Sequence, residues 1–513
     1  MMKFFALRGK SLHKFGYIML FILMIISCKK EETIENLPLF GPDQEFYALS
    51  DNSLLKFNAK NVKTQLSKIA ITGLGTSEKL VSIDFRPATG ELYGVTNASK
   101  LYIINVISGI ARVVSSTAFT PALTGTTVSL DFNPAEDRIR IISNTGQNLS
   151  LNPETGVVVA TGTAISSGSI SGVAYINSIA GAATTTLYDI DPTAKTLYKQ
   201  DSPNDGVLSK IGNLELDFGS SVSFDISPSN SSVLAVGKTG DSTKLFTVDL
   251  STGKAKLSGK FPIGTAIQGI AIPANPAAYA VTFDATSNQS SLLIFNPLTA
   301  DAAVSKLITG LQTGETVLGM DMRPLNGQIY ALGSTGRLYT INMGSGAFTQ
   351  VGTGTLSPAL SGVNFGFDFN PVEDIIRVVS NTGQNLRINP TTAAVNVDAT
   401  INPATATLSA AAYSSNFVGA TTTKLYVMDY TGNKLYSQDA NLGTLTAIGD
   451  LSIDVEGSNG FDIISAGTGD TGYAILSVAG VSKVYSINLL TGAATSQRDF
   501  SKTVTAFTLG LRF

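Results

Sequence analysis

Three aspartates punctuate the first half of this 513-residue chain, and three more punctuate the second half at a constant offset. Asp84, Asp131 and Asp225 recur as Asp321, Asp368 and Asp462, each 237 positions on. Carboxylates that converge can do two kinds of chemistry. They can hold a hard cation such as Ca2+ through oxygen ligands. Alternatively, one can act as acid and another as nucleophile in glycoside hydrolysis, at a separation of about 5–10 Å. A third reading involves no chemistry: each carboxylate accepts hydrogen bonds from the turn that follows it, where Arg-Pro or Asn-Pro sits. A polar set repeats with the same offset. Arg86, Arg140, Asn144, Gln147 and Asn148 recur as Arg323, Arg377, Asn381, Gln384 and Asn385. The heptapeptide SNTGQNL, starting at Ser143 and again at Ser380, carries three of these positions unchanged. Asparagine tolerates unusual backbone angles and can bond the backbone two residues on, and glycine takes positive φ without steric cost. A tight turn therefore explains Asn144 and Gly146. It gives no reason for Gln147, Asn148 or Arg140, which either line a pocket or pair buried backbone groups. Asp84, Asp131, Asp321 and Asp368, with the polar set and its repeat, are the candidate ligand-binding positions. None is assigned a catalytic role, and no cofactor is expected beyond the Ca2+ option.

Composition removes several function classes. The only histidine is His13 and the only cysteine is Cys28. Both fall near the N-terminus, so the body of the chain has no Ser-His-Asp triad, no His-ligated metal and no thiol nucleophile. The four basic residues before Cys28 leave 31 basic residues facing 38 acidic ones, with no basic run, and nucleic-acid binding is not expected. Charged residues make up 14% of the chain and hydrophobic residues 43%, with 49 glycines. That mixture favours many short strands joined by tight turns.

The N-terminus reads as a targeting segment. Lys3, Arg8, Lys10 and Lys14 precede an apolar run, Phe15 to Ile26, that is too short to span a membrane comfortably. The run ends in Ile25-Ile26-Ser27-Cys28, which resembles a bacterial lipoprotein lipobox. The resemblance implies removal of residues 1–27 and lipidation of Cys28. Lys29-Lys30-Glu31-Glu32 is similar to the charged export signals of surface lipoproteins in Bacteroidetes-type bacteria. The expected location is therefore the cell envelope, as an outer-membrane, surface-exposed lipoprotein held by its acyl chains, with residues 28–44 as a tether. Such chains anchor by about 0.8 kcal/mol per buried methylene.

The elements that must position the aspartates follow a shorter rhythm. From Asp84-Phe85 the chain reads as strand, Pro-Ala-Thr-Gly turn, strand, Asn-Ala-Ser turn, strand, Ser-Gly turn and strand, ending near Val114. Similar units start near Val128, Gly172, Val222 and Ile267, a spacing of about 45 residues that suits a four-stranded propeller blade. Glu45 to Leu49 matches the second strand of a blade whose first strand is missing. Thr265 to Ile272 and Thr505 to Phe513 both match the missing strand. The expected fold is all-β, a tandem propeller of two five-bladed rings over residues 45–273 and 274–513. The alternative is one ten-bladed ring closed only by Thr505 to Phe513.

The strings DFRPATGELYG, DFNPAEDRIRIISNTGQNL and TTTLYDID resemble the bacterial domain-of-unknown-function four-three-nine-four family, once over 45–273 and again over 279–513. Single-copy members are about half this length, which implies halves that close on themselves. The family has no established activity, so the resemblance assigns no catalytic residue. The expected role is a binding or scaffolding module for an envelope protein or a glycan. A carboxylate-dependent glycoside hydrolase at the cell surface is the alternative.

Overall fold

The repeated unit is a four-stranded antiparallel meander. In the second blade, Leu80–Phe85, Leu92–Thr96, Leu101–Ile104 and Ala111–Val113 pair in chain order. The computed structural model describes residues 39–512 apart from 166–167, 300–302, 458 and 467–468. The leader 1–27, Cys28 and the tether up to residue 38 lie outside the described residues. Among the described residues there are ten such sheets, and the one helical piece is the 3-10 turn Pro203–Asp205.

Two sheets break chain order, and both do so to close a circle. Gly269–Ala271 pairs with Glu45–Ser50, and Ala506–Leu509 pairs with Ala278–Asp284. The inner strands Leu80–Phe85, Val128–Asn133, Gly172–Tyr175, Val222–Ile226 and Gly269–Ala271 neighbour one another in a closed ring. Val317–Met322, Phe365–Asn370, Leu408–Tyr413, Asn459–Ala466 and Ala506–Leu509 form a second one. The fold is an all-β tandem propeller of two five-bladed rings. A single ten-bladed ring is excluded because Gly269–Ala271 returns to the first blade. The closing strands are shorter than the sequence suggests. In the first ring only Tyr47, Ala48 and Leu49 find partners across the closure.

The hydrophobic clusters lie between blades and not within them. Phe46 and Phe57 of the first blade meet Phe261, at the end of the fifth, with centroids 6.5 and 5.1 Å away. Tyr93 and Phe132 pack edge to face across the second and third blades at 5.2 Å, and Tyr330 and Phe369 repeat the pair at 5.2 Å. Fully burying one such side chain is worth roughly 1.5–3 kcal/mol. A lone blade would leave these faces in water, so the stabilisation depends on ring closure.

Both rings lie in one compact unit, Gly41–Phe513. They abut through the faces where the inner strands end. The Tyr279 hydroxyl donates to the Ala88 carbonyl at 2.8 Å, and the Arg512 amide donates to the Thr89 carbonyl at 2.9 Å. Gly90 sits at φ 73°, where an added Cβ would lie 2.3 Å from the Arg512 carbonyl oxygen, so a side chain there would strain the backbone and wedge the rings apart. The faces where the inner strands begin are at the other end of each ring.

Candidate functional site

An inner strand pairs with its own blade along one edge and leaves amides along the edge that faces the ring axis. Buried amides need acceptors. The preceding blade supplies them. Asp84 Oδ2 accepts from the Phe132 amide at 2.9 Å, Asp131 Oδ1 from Tyr175 at 3.1 Å, and Asp225 Oδ2 from Ile272 at 2.5 Å. Two residues earlier on each strand, Ser82 Oγ accepts from Leu130 at 3.0 Å, Ser129 Oγ from Val173 at 3.0 Å and Ser223 Oγ from Ile270 at 2.7 Å. A Ser-x-Asp step thus stitches one blade to the next. The second ring keeps the acids: Asp321 accepts from Phe369 at 2.8 Å, Asp368 from Tyr413 at 2.7 Å and Asp462 from Leu509 at 2.7 Å. The expectation that these carboxylates serve the turn following them is corrected. Asp84 and Asp225 do bind the amide of the next residue, but their remaining oxygens serve the neighbouring blade.

In each ring the three carboxylates converge, with oxygens within 4.8 Å of one another, and all six side chains are buried. Burial pushes Asp84 and Asp131 well above the usual carboxylate range. The Asp225 charge raises Asp84 further, and the charges of Asp84 and Asp225 raise Asp131. Burial lifts Asp225 to about 7 against the pull of the Ile272 and Ile226 amides. In the second ring Asp321 and Asp368 are likewise pushed well up, chiefly by burial. Asp462 reaches about 6, because burial is opposed by the Leu509 amide and by the Thr508 hydroxyl, which lies 3.0 Å away. Backbone amides engage at least one oxygen of each carboxylate, while Asp368 Oδ1 has no hydrogen-bond partner among the described residues. Ca2+ takes about six to eight oxygens, so a cation at either triad would need every carboxylate oxygen or ligands besides these three side chains. A glycosidase acid and nucleophile must reach a sugar in an open cleft. These carboxylates face one another inside a closed layer.

The polar repeat is also engaged. Arg140 donates to Asn148 Oδ1 and Asn204 Oδ1, each at 2.8 Å, while the Asn148 amide reaches the Thr163 and Pro203 carbonyls. Arg377 and Asn385 repeat this with Asn441, Ala399 and Ala440, and Arg377 adds an ion pair to Asp398. These groups tie the third and fourth blades of each ring together. Asn144 Oδ1 accepts from the Thr126 and Thr127 amides and not from its own turn, and Asn381 does the same with Val363 and Asn364. Gln147 and Gln384 brace the same loops through Thr124 and Ala122 or Ser361 and Ala359. Gly146 takes φ 82°, as the turn requires. Arg86 is fully buried near the seam and grips Asp137 with two nitrogens and Glu154 with one. Arg323 pairs with Asp374 in the same way but is partly exposed, and Thr391 stands where Glu154 would be.

The open concavity lies where sequence reasoning did not look. At the face of the first ring remote from the seam, a cavity of about 450 Å3 leads onto the channel, lined by Ser82, Ser129, Ser171, Ser223, Lys79 and Lys238 among others. Its counterpart in the second ring is about 10 Å3. Gly319, Gly366 and Gly460 replace Ser82, Ser129 and Ser223 there, and a Cβ on Gly460 would lie 2.1 Å from the Phe507 Cβ. The signal was visible as Ser-x-Asp in one half against Gly-x-Asp in the other.

The family model described as Domain of unknown function (DUF4394) matches residues 53–271 and again 291–509. The chain belongs to this family. Each DUF4394 match ends on the last residue of a closing strand, Ala271 or Leu509, so each copy carries its own closure. No curated protein matches the chain. Among solved structures, one similar chain is PorZ, described as an essential bacterial surface component of the type-IX secretion system of Porphyromonas gingivalis. It shares 13% identity at a TM-score of 0.26 over 88% of this DUF4394 chain, which spans 64% of that chain's length.

Proposed function

We propose that the chain is a lipid-anchored cell-envelope binding module that recognises an envelope protein or a glycan at the mouth of its first ring. One observation carries this reading: the first ring opens a cavity of about 450 Å3 on its free face, while the second ring closes the same place to about 10 Å3. A concavity with converging polar groups on a rigid frame is the usual form of a binding site. The anchor rests on the leader pattern and Cys28. The second ring, sealed and packed against the first, serves as a rigid base.

The test compares the full-length chain with Thr127→Trp, which fills the mouth from its rim. Both are applied to a glycan array and used to capture partners from detergent-solubilised envelopes. Ligands held by the parent chain and lost by Thr127→Trp are the expected result. Equal capture by both would place recognition elsewhere. Metabolic labelling with palmitate, abolished by Cys28→Ser, checks the anchor.

A further inference from the structure

The mouth of the first ring carries hydrogen-bond donors in a specific state. Ser82, Ser129, Ser171 and Ser223 each use Oγ to accept a backbone amide of the next blade, at 3.0, 3.0, 3.0 and 2.7 Å. A hydroxyl has one hydrogen and two lone pairs. With the oxygen occupied as an acceptor of a fixed amide, the hydroxyl hydrogen is what remains to be satisfied. None of the four donates to a protein acceptor among the described residues. Ser82, Ser129 and Ser171 are largely buried, so their hydroxyl hydrogens are left to whatever occupies the cavity. All four line the cavity.

The rim adds charge of one sign. Lys79 and Lys238 are exposed at the cavity edge, and neither ammonium has an ion-pair partner among the described residues. The one carboxylate among the lining residues, Asp51, sits 3.3 Å from the Gln268 side-chain amide. Donor hydroxyls below and two ammonium groups above form a site for negative oxygen, because hydrogen bonds to a charged acceptor are shorter and about twice as strong as neutral ones. Among the described residues the second ring narrows to about 10 Å3 at this level, with glycines 319, 366 and 460 in place of three of the four hydroxyls and Ser409 keeping the fourth.

We propose that the hydroxyl collar of the first ring and its lysine rim bind an oxyanion, a carboxylate, sulfate or phosphate that is either free or carried on the end of a glycan. This rests on the reading of the mouth as the recognition surface. It adds the chemical class of what enters.

Isothermal titration of the full-length chain in detergent tests it. The probes are inorganic phosphate, sodium sulfate, a uronic-acid-terminated oligosaccharide and its neutral hexose-terminated counterpart. The oxyanion-bearing probes are expected to bind, and the neutral oligosaccharide to bind at least about tenfold more weakly. Binding of inorganic anions equal to the acidic glycan identifies a free oxyanion as the ligand, and preference for the acidic glycan identifies a carried one. Ser129→Ala is expected to weaken the acidic probes about tenfold or more by removing one donor. Because it also strips Val173 of its acceptor, the fold-neutral double variant Lys79→Gln/Lys238→Gln is run beside it and is expected to weaken the same probes and steepen none. Equal affinity for acidic and neutral oligosaccharides, both lost in Thr127→Trp, would overturn the oxyanion proposal and leave the mouth as the binding surface. Binding that survives Thr127→Trp would overturn both. Absence of binding by every oxyanion probe would overturn the proposal.

Discussion

The two rings share one carboxylate layer and differ in the layer above it. Asp84, Asp131 and Asp225 match Asp321, Asp368 and Asp462 in position, burial and amide partners. One step toward the free face, serine in the first ring becomes glycine in the second. What both rings keep is what a ring needs in order to close: acceptors for the axial amides of the next blade. What the first ring adds is a cavity of about 450 Å3 against about 10 Å3, and three serines that the second ring replaces with glycine. The comparison thus separates what both rings share from what the first ring adds, and it moves attention from the aspartates to the serines. The seam differs as well. The first ring buries Arg86 between two carboxylates, whereas the second leaves Arg323 part-exposed with one.

The largest expected effect sits at that seam. Arg86→Met would leave Asp137 and Glu154 as buried, unpaired acids, and removing one partner of a buried ion pair costs about 3–5 kcal/mol. Arg323→Met removes a partly hydrated pair, for which about 1 kcal/mol is expected. Urea unfolding followed by far-ultraviolet circular dichroism measures the difference, since the chain has no Trp to report by fluorescence. Equal losses would mean that the seam does not distinguish the rings.

The next effect breaks the collar in each direction. Gly460→Ser must place its Cβ against Phe507, and overpacking of this kind costs about 1–3 kcal/mol. Ser223→Gly makes no clash but leaves the Ile270 amide without its side-chain acceptor, at about 1 kcal/mol. Hydrogen exchange resolves which ring opens. Amides of Phe507 and its neighbours should lose protection in Gly460→Ser, and that of Ile270 in Ser223→Gly. If Gly460→Ser were neutral, the second channel would be closed by something other than the approach of its blades.

The contrast also explains which parts of the molecule the sequence makes legible. Blade number, turn positions and the two closing strands can be read because they depend on local patterns and on a fixed offset. The tight turn expected at Asn144 and Gly146 joins the strands Arg138–Ser143 and Asn148–Leu151 for the same reason. The partner of an inner-strand aspartate cannot be read this way. Asp84 serves Phe132, 48 positions on, and Arg86 grips Asp137, 51 positions on. These are contacts of ring geometry. The serine-to-glycine change can be read as letters, yet its meaning depends on how closely neighbouring blades approach, which packing between blades decides.

The smallest effect uses protons to tell the rings apart. An acid whose folded-state pKa lies above its ordinary value binds its proton more tightly in the native state. Its stabilising contribution is complete below the ordinary value near 3.8 and is lost as pH rises through the folded-state value. Asp225, lifted to about 7 by burial, and Asp84 and Asp131, pushed well up beside it, carry that loss in the first ring to neutral pH. Burial lifts Asp462 to about 6, opposed first by the Leu509 amide and then by the Thr508 hydroxyl, while Asp321 and Asp368 beside it are pushed well up. The first ring has Ala271 where the second has Thr508. Thermal unfolding should therefore show greater stability at about pH 5 than at about pH 8. Removing the hydroxyl with Thr508→Ala should shift the loss in the second ring toward that of the first. Asp131→Asn, whose carbonyl can still accept from Tyr175 and whose amide replaces a shared proton, should flatten the upper limb in the first ring alone. A melting temperature that rises from about pH 5 to about pH 8 would show that the triads do not hold their protons, and the two rings would then differ in their collars and at the seam but not in their acids.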